Sequence, residues 1–147
     1  MAVNKIKNMR VDDILDRVAE AKTRKEKIEV LHTYNNRGLR DVLKGAFDDN
    51  VQFNLPEGAP PFTTGSEHSF GTTLLKQSKK FKYFVKTPSR PTAGPKIEMI
   101  FVKLLESLHP GEAQVVIWMK DKQLGGNYKG LTKKLVYDAF PGLISSD

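Results

Sequence analysis

Apolar residues recur at intervals of three and four along almost the whole chain, and this periodicity restricts the fold more than any single motif does. Val11, Ile14, Leu15 and Val18 form one such stripe, and Ile28 and Leu31 a second. Leu39, Val42, Leu43, Ala46 and Phe47 form a third. The pattern returns in Leu74, Leu75, Phe81, Phe84 and Val85, then in Ile97, Ile100, Phe101, Leu104 and Leu105. Val115, Val116, Trp118 and Met119 carry it on, and Leu131, Leu135, Val136 and Phe140 complete it. Only Val51–Leu55 alternates as a strand would, and the sequence offers it no partner strand. The expectation is therefore an all-α chain, a single domain spanning 1–147 with about six or seven helices.

Local signals place the boundaries. Asp12 and Asp13 suit the positive end of a helix over Val11–Ala21. Thr23-Arg24-Lys25-Glu26 matches a capping box and opens a second helix, which Asn35-Asn36 stops. A third helix is predicted over Gly38–Phe47 and a fourth over Thr72–Lys86. Pro95 and Pro110 stand at favourable first positions for helices reaching Ser107 and Lys120. Thr132 is placed to cap a last helix ending near Phe140, where Pro141-Gly142 follows. Proline and glycine make loops of 56–71 and 87–95, and the basic segment 1–9 is expected to be flexible.

Composition narrows the function. Of 147 residues, 39% are hydrophobic and 28% charged, which favours a packed core over disorder. The absence of cysteine excludes disulfides, thiolate metal sites and a cysteine nucleophile. No apolar run approaches membrane-spanning length and residues 1–10 lack the core of a signal peptide, so a cytoplasmic protein is expected. His32, His68 and His109 are scattered and read as structural or surface residues rather than metal ligands. Asp12-Asp13 and Asp48-Asp49 are neighbours in sequence, which is poor geometry for a carboxylate dyad. Neither a phosphate-binding P-loop nor a dinucleotide fingerprint is present. No catalytic residue, cofactor or metal is assigned.

The net charge of +7 points instead to an acidic partner. Lys22–Lys27 is interleaved with glutamates and reads as a solvated face. Two other basic segments lack that balance. In Lys76–Lys86 the lysines have no acid among them, and Lys79, Lys80 and Lys82 are candidate DNA contacts on charge alone. The second segment is a corner rich in glycine and lysine, running from Trp118 to Leu135. There Lys120, Lys122, Lys129, Lys133 and Lys134 surround Gly125, Gly126 and Gly130 against the one acid Asp121. Lysines beside backbone amides near a helix start are the ingredients of a phosphate site. Tyr128, between Asn127 and Lys129, is expected to be an exposed ring and a candidate DNA contact.

These residues give the chain a resemblance to the N-terminal DNA-binding domain of ATP-dependent DNA ligases, particularly the phage type. Met119-Lys120-Asp121-Lys122-Gln123-Leu124-Gly125 is similar to that domain's "Met/Leu-x-Asp-Leu-x-x-Gly" helix end. Pro141-Gly142-Leu143-Ile144, beyond the last helix, is similar to its "Trp/Ala-Pro-Gly-Leu-Ile". Lys22-Thr23-Arg24-Lys25-Glu26-Lys27, followed by Leu31 and then Leu39-Arg40-Asp41-Val42-Leu43, resembles its opening segment. Small proteins carried by tailed phages also look similar, which implies a bacteriophage source and the host cytoplasm. The resemblance implies an all-helical domain that holds duplex or nicked DNA through its backbone. It implies DNA contacts at Lys120, Lys122, Gly125, Gly126, Lys129, Lys133 and Lys134. The Lys-x-Asp-Gly nucleophile of a ligase is absent, so the implied function is non-catalytic.

The expectation is thus a sequence-tolerant DNA-binding accessory protein of phage DNA replication, repair or recombination. The alternative is a protein-interaction module that binds a host or phage protein, a replication factor or a virion component, with 56–71 as its docking loop.

Overall fold

Every longer helix begins where the chain supplies a local device to start it. A computed structural model describes residues 10–62, 77–87 and 94–144. Asp12 and Asp13 occupy the first turn of α1 (Val11–Glu20). Thr23 Oγ1 accepts from the Glu26 amide at 3.1 Å to start α2 (Arg24–Thr33). The Glu26 carboxylate reaches back to the Lys22 amide at 3.2 Å, one residue beyond the usual capping-box donor. Asn36 Oδ1 accepts from the Leu39 amide at 2.8 Å and starts α3 (Arg37–Phe47). Asn36 is therefore the N-cap of α3, where the sequence had suggested only a stop to α2. Pro95 and Pro110 open α4 (Pro95–Ser107) and α5 (Pro110–Lys120), and His109 Nδ1 accepts from the Gly111 amide at 3.0 Å. Thr132 Oγ1 accepts from Leu135 at 3.1 Å and starts α7 (Lys133–Ala139). The short α6 (Leu124–Asn127) lies in the corner that the sequence suggested was only a turn.

The described chain is all-α, a single domain around one core. Its central element is α5, which packs against α1, α3 and α4. Ala113, Val115, Val116, Ile117 and Met119 are all buried, so this helix is apolar on nearly every side. α3 approaches it through Gly45, where an added Cβ would lie 2.7 Å from Met119 Sδ. Glu112, fully buried at the start of α5, accepts from the Val11 amide at 3.3 Å and thereby caps α1 as well. α2 and α7 pack together beside this centre, and His32 Nε2 meets the Ala139 carbonyl oxygen at 2.6 Å. The histidine ring also stands edge-on to Phe140, in keeping with a structural role.

Two expectations need correction. The helix expected over Thr72–Lys86 is, in its described part, a 3-10 helix over Ser78–Phe84. Its buried residues, Ser78, Phe81 and Phe84, recur strictly every third position. That spacing matches the three residues per turn of a 3-10 helix better than the 3.6 of an α-helix. The alternating segment Val51–Leu55 does find a partner. The chain leaves the 3-10 helix extended at Val85, and Phe53 and Val85 form an isolated antiparallel bridge. Asn54 donates to the Phe84 carbonyl and Lys86 to the Gln52 carbonyl, both at 2.7 Å. Residues 1–9, 63–76 and 88–93 lie outside the described residues, and with them His68, Lys76, Leu74, Leu75, most of loop 56–71 and most of loop 87–95.

The end of α5 turns through Lys122, which has φ +60°, a left-handed conformation that usually falls to glycine. Its amide donates to Met119 O at 3.1 Å, and the Gln123 amide donates to Trp118 O at 2.8 Å. This is the paired closure of a Schellman motif, with a lysine at the glycine position. The side chain accounts for the exception. Lys122 Nζ donates to the carbonyls of Gly45, Asp48 and Val51 at 2.6, 3.1 and 2.5 Å, and lies 5.7 Å from the Phe53 ring centroid. The turn aims an ammonium at the open carbonyls where α3 ends. Burial pulls the Lys122 pKa below its ordinary value, against the opposing pull of Asp49 and Asp48.

Lys122→Met would leave those carbonyls without their donor, and a loss of about 2–4 kcal/mol in unfolding free energy is expected by urea denaturation. A variant as stable as the parent would show that this contact is not needed. Beside it, Asp48 accepts from the Asn50 amide at 3.0 Å and from Lys44 Nζ at 3.1 Å. Burial raises its pKa, but Asn50, Lys44 and Lys122 together outweigh that and hold it below the ordinary carboxylate value. The stability it contributes is therefore present above the ordinary carboxylate pKa and lost as pH falls through the lower folded value. Asp48→Asn should be less stable than the parent at neutral pH, and the gap should narrow between about pH 5 and pH 2. Parallel pH–stability curves for the two proteins would contradict this assignment.

Candidate nucleic-acid interface

The lysines of the glycine-rich corner do not act as one surface. Lys120 is interior: its side chain is 2% exposed, and Nζ donates to Pro56 O at 2.8 Å, Gly58 O at 2.9 Å and Asp121 Oδ1 at 2.5 Å. Lys122 is engaged with the end of α3 as described above. Tyr128 is buried at 7% exposure, with its ring edge-on to Trp118 at 5.9 Å between centroids, and is not the exposed ring its flanking residues suggested. Burial pushes its hydroxyl pKa well up, and Asp16, Asp12 and Asp13 add to the shift. Apolar packing around Trp118 outweighs the polar flanks Asn127 and Lys129. Gly125 is a packing position, where a Cβ would come within 2.8 Å of the Leu131 carbonyl oxygen. Gly126 is exposed and has open space around its Cα. Lys129 and Lys134 are exposed, while Lys133 pairs with Asp49 at 2.8 Å.

The other basic segment presents its charge to solvent. In a 3-10 helix, side chains three apart eclipse one another, so the helix has three rows. Ser78, Phe81 and Phe84 form the buried row. Lys79, Lys82 and Val85 form a second, and all three line a groove of about 250 Å³ against α3. Lys80 and Tyr83 form the third row, which Lys86 extends past the helix end, and all three are exposed. Lys79, Lys80 and Lys82 have no carboxylate partner among the described residues.

The opposite wall of the groove comes from α3. Arg37, Asp41 and Lys44 share one helix face at intervals of four and three, turned away from the Leu39, Val42, Leu43 and Ala46 stripe. Asp41 is the only acid among the described residues that line the groove, against Arg37, Lys44, Lys79 and Lys82. It is already engaged: Ser78 Oγ donates to Asp41 Oδ2 at 2.7 Å, and Arg37 Nε stands 3.6 Å from the same oxygen. Lys44 is tied to Asp48 and to the Leu143 carbonyl, both at 3.1 Å. Arg37, with a side chain 67% exposed, and the two 3-10 lysines carry the accessible charge. Gly45, Val51, Phe53 and Phe81 provide the apolar part of the lining.

The structure thus joins Lys79 and Lys82 to two residues that sequence reasoning had missed, Arg37 and Lys44. Their signal was present, since positions 37, 41 and 44 fall on the polar face of an amphipathic helix. What the sequence lacked was the partner packed against that face. Asp48 and Asp49 take Lys44 from the groove and Lys133 from α7. Among the described residues no cluster of histidine and acidic side chains is arranged to hold a metal ion, and no helix is long and apolar enough to cross a membrane.

Comparison with known proteins adds a family without a function. None of the curated proteins matches the chain. A family model does match, over residues 14–126, which take in most of α1, all of α2 to α5, the 3-10 helix and the groove between it and α3. The chain therefore belongs to DUF6433, a family of unknown function.

Proposed function

We propose that the protein is a non-catalytic, sequence-tolerant DNA-binding accessory protein, acting in phage DNA replication, repair or recombination. It holds DNA through phosphate contacts made by the groove between α3 and the 3-10 helix. The observation that carries this reading is the convergence of Arg37, Lys79 and Lys82 from two elements onto one groove, where Asp41, the only acid among the described lining residues, pairs with Arg37 and leaves the two lysines without a carboxylate. Like charges gathered without counter-charges repel one another, and a polyanion relieves that repulsion while releasing its own counterions. The 3-10 geometry puts Lys79 and Lys82 one turn apart, about 6 Å along the axis, so both side chains can follow one backbone. Phosphate contacts carry no sequence information, which is why the reading is of sequence-tolerant binding. Lys129 and Lys134 offer further exposed charge, whereas Lys120 and Lys122 are occupied inside the fold.

A second reading, a module that binds a host or phage protein, draws support from one feature. Residues 55–61 wall a cavity of about 230 Å³ together with Glu98, Phe101, Val102 and Lys120. It is mostly apolar, as a protein-binding cleft often is.

Fluorescence anisotropy with duplex, nicked and single-stranded DNA at several salt concentrations tests the first reading. Each phosphate neutralised on a duplex contributes about 0.9 to the slope of log affinity against log salt. Replacing Arg37, Lys79 and Lys82 together by Ala should flatten that slope by about 2.7 while the circular dichroism stays that of a folded helical protein. An unchanged slope in the folded variant would remove the groove from the interface. Failure of the parent to bind any DNA form at low salt would leave the protein-partner reading in its place.

A further inference from the structure

We infer that the groove between α3 and the 3-10 helix seats one unpaired nucleobase on its apolar floor, so that the form of DNA this surface prefers is single-stranded. The inference rests on the DNA-binding reading and deepens it. Charge is only part of the lining, since Val51, Phe53, Phe81 and Val85 line the groove with Gly45, which adds no side chain. Backbone pairing explains why three of these side chains meet there. Phe53 and Val85 stand opposite one another in the antiparallel bridge, and residues so paired carry their side chains on one face. Val51, two residues before Phe53, shares that side through the alternation of extended chain. Phe81 completes the floor from the buried row of the 3-10 helix. Phe53 also packs against the core, with Lys122 Nζ 5.7 Å from its ring centroid, so the fold holds this floor in place before any ligand arrives.

Size and chemistry together select the occupant. An apolar cavity of about 150 Å³ is enough to take a benzene ring, so a groove of about 250 Å³ has room for one base but not for the three rings of a base pair. The row that begins with Lys79 and Lys82 ends in Val85, so along one wall two ammonium groups give way to an apolar side chain. A nucleotide of a single strand offers the matching order, phosphates beside a flat apolar face. A duplex keeps its base faces stacked inside and presents phosphates outward, which would use the lysines and leave the floor in water. Proteins that bind single strands without sequence preference combine a basic groove with aromatic surface, because every base has a face that can stack. Lys79 and Lys82 beside Phe53 and Phe81 supply both parts within one groove.

The test compares oligothymidine with a duplex of equal length across a salt series, in the parent and in Val85→Trp, which fills the groove and removes no charge. The parent should bind oligothymidine about tenfold more tightly than the duplex. In Val85→Trp that preference should fall below about threefold, with the salt slope on oligothymidine unchanged. Independently of any variant, an oligothymidine carrying one 5-iodouracil should photocrosslink to Phe53 or Phe81 of the parent, as located by peptide mass spectrometry. No preference for oligothymidine in the parent, an undiminished preference in a folded Val85→Trp, or adducts only outside the groove overturns the base site. If the slope still responds to Arg37, Lys79 and Lys82 in that event, the phosphate-binding groove survives. If the parent binds neither DNA form at low salt, both readings fall.

Discussion

The fold depends on ammonium groups spent on backbone carbonyls. An α-helix leaves its last carbonyls without intrahelical donors and gathers partial negative charge at that end. Where the end is buried, something must supply hydrogen bonds, and here lysine does so repeatedly. Lys27 Nζ donates to Val18 O at 2.8 Å, Ala21 O at 2.7 Å and Lys129 O at 3.3 Å, closing α1 and fastening the loop before α7 to it. Gly130, with φ +79°, lets the backbone pass the Lys27 side chain where a Cβ would collide. Lys122 closes α3 in the same manner, and Lys120 fastens the proline-rich segment at Pro56 and Gly58. One ammonium can satisfy three carbonyls from separate segments, which no single backbone amide can do. The cost is desolvation of the charge, and hydrogen bonds to charged donors, at about 1.5–3 kcal/mol each, are strong enough to offset much of it.

This use of lysine explains why the basic corner was misleading when read from sequence alone. Lys120 and Lys122 occur in a run whose composition matches a phosphate site, yet composition does not reveal whether a carbonyl or a phosphate oxygen takes the protons. Both are anionic or partly anionic acceptors, and both favour glycine-rich backbone nearby. The deciding fact is the position of α3 and of 56–58, which lie distant in sequence and come to the corner only through tertiary packing. Lys122 did carry one warning. A lysine where a helix C-terminus ordinarily has glycine implies a side chain needed at that point, since the left-handed backbone is strained for any residue with a Cβ.

Helix positions were far more legible because their causes are local. Thr23 and Thr132 cap through their own hydroxyls, and Pro95 and Pro110 exclude alternatives at the first helical position. The stripes in α1 and α3 became buried faces because every apolar residue in them already had helical spacing. The misses occurred where period or partner was ambiguous. Phe81 and Phe84 fit an α-helical stripe as well as a 3-10 row, and only the burial of Ser78 separates the two. Val51–Leu55 looked unpaired because its partner, Val85, meets it in an isolated bridge and belongs to no named strand. In the candidate site, the lysines of the 3-10 helix could be named from charge. Arg37 and Lys44 could not, because a polar helix face is ordinary until another element is packed beside it.

The same accounting separates the two kinds of lysine in a chain of net charge +7. Those whose carbonyl partners are supplied by the fold have no proton donors left for a ligand, and moving them outward would open helix ends. Those on the 3-10 helix have the opposite status. Lys79 and Lys82 are held at the surface by a helix whose buried row is apolar, so the core fixes their position while making no use of their charge. Asp41 offsets only Arg37, its partner in the groove, and the acids that follow α3 are drawn to Lys44 and Lys133, so Lys79 and Lys82 keep their charge unpaired among the described residues. Placing the available acids elsewhere leaves a short, rigidly backed row of cations beside the apolar lining of the groove. Rigid presentation matters for weak phosphate contacts, since each flexible side chain that must be ordered on binding costs about 0.5–1.5 kcal/mol. The 3-10 backbone, anchored by Phe81 and Phe84, removes the main-chain share of that cost before any ligand arrives.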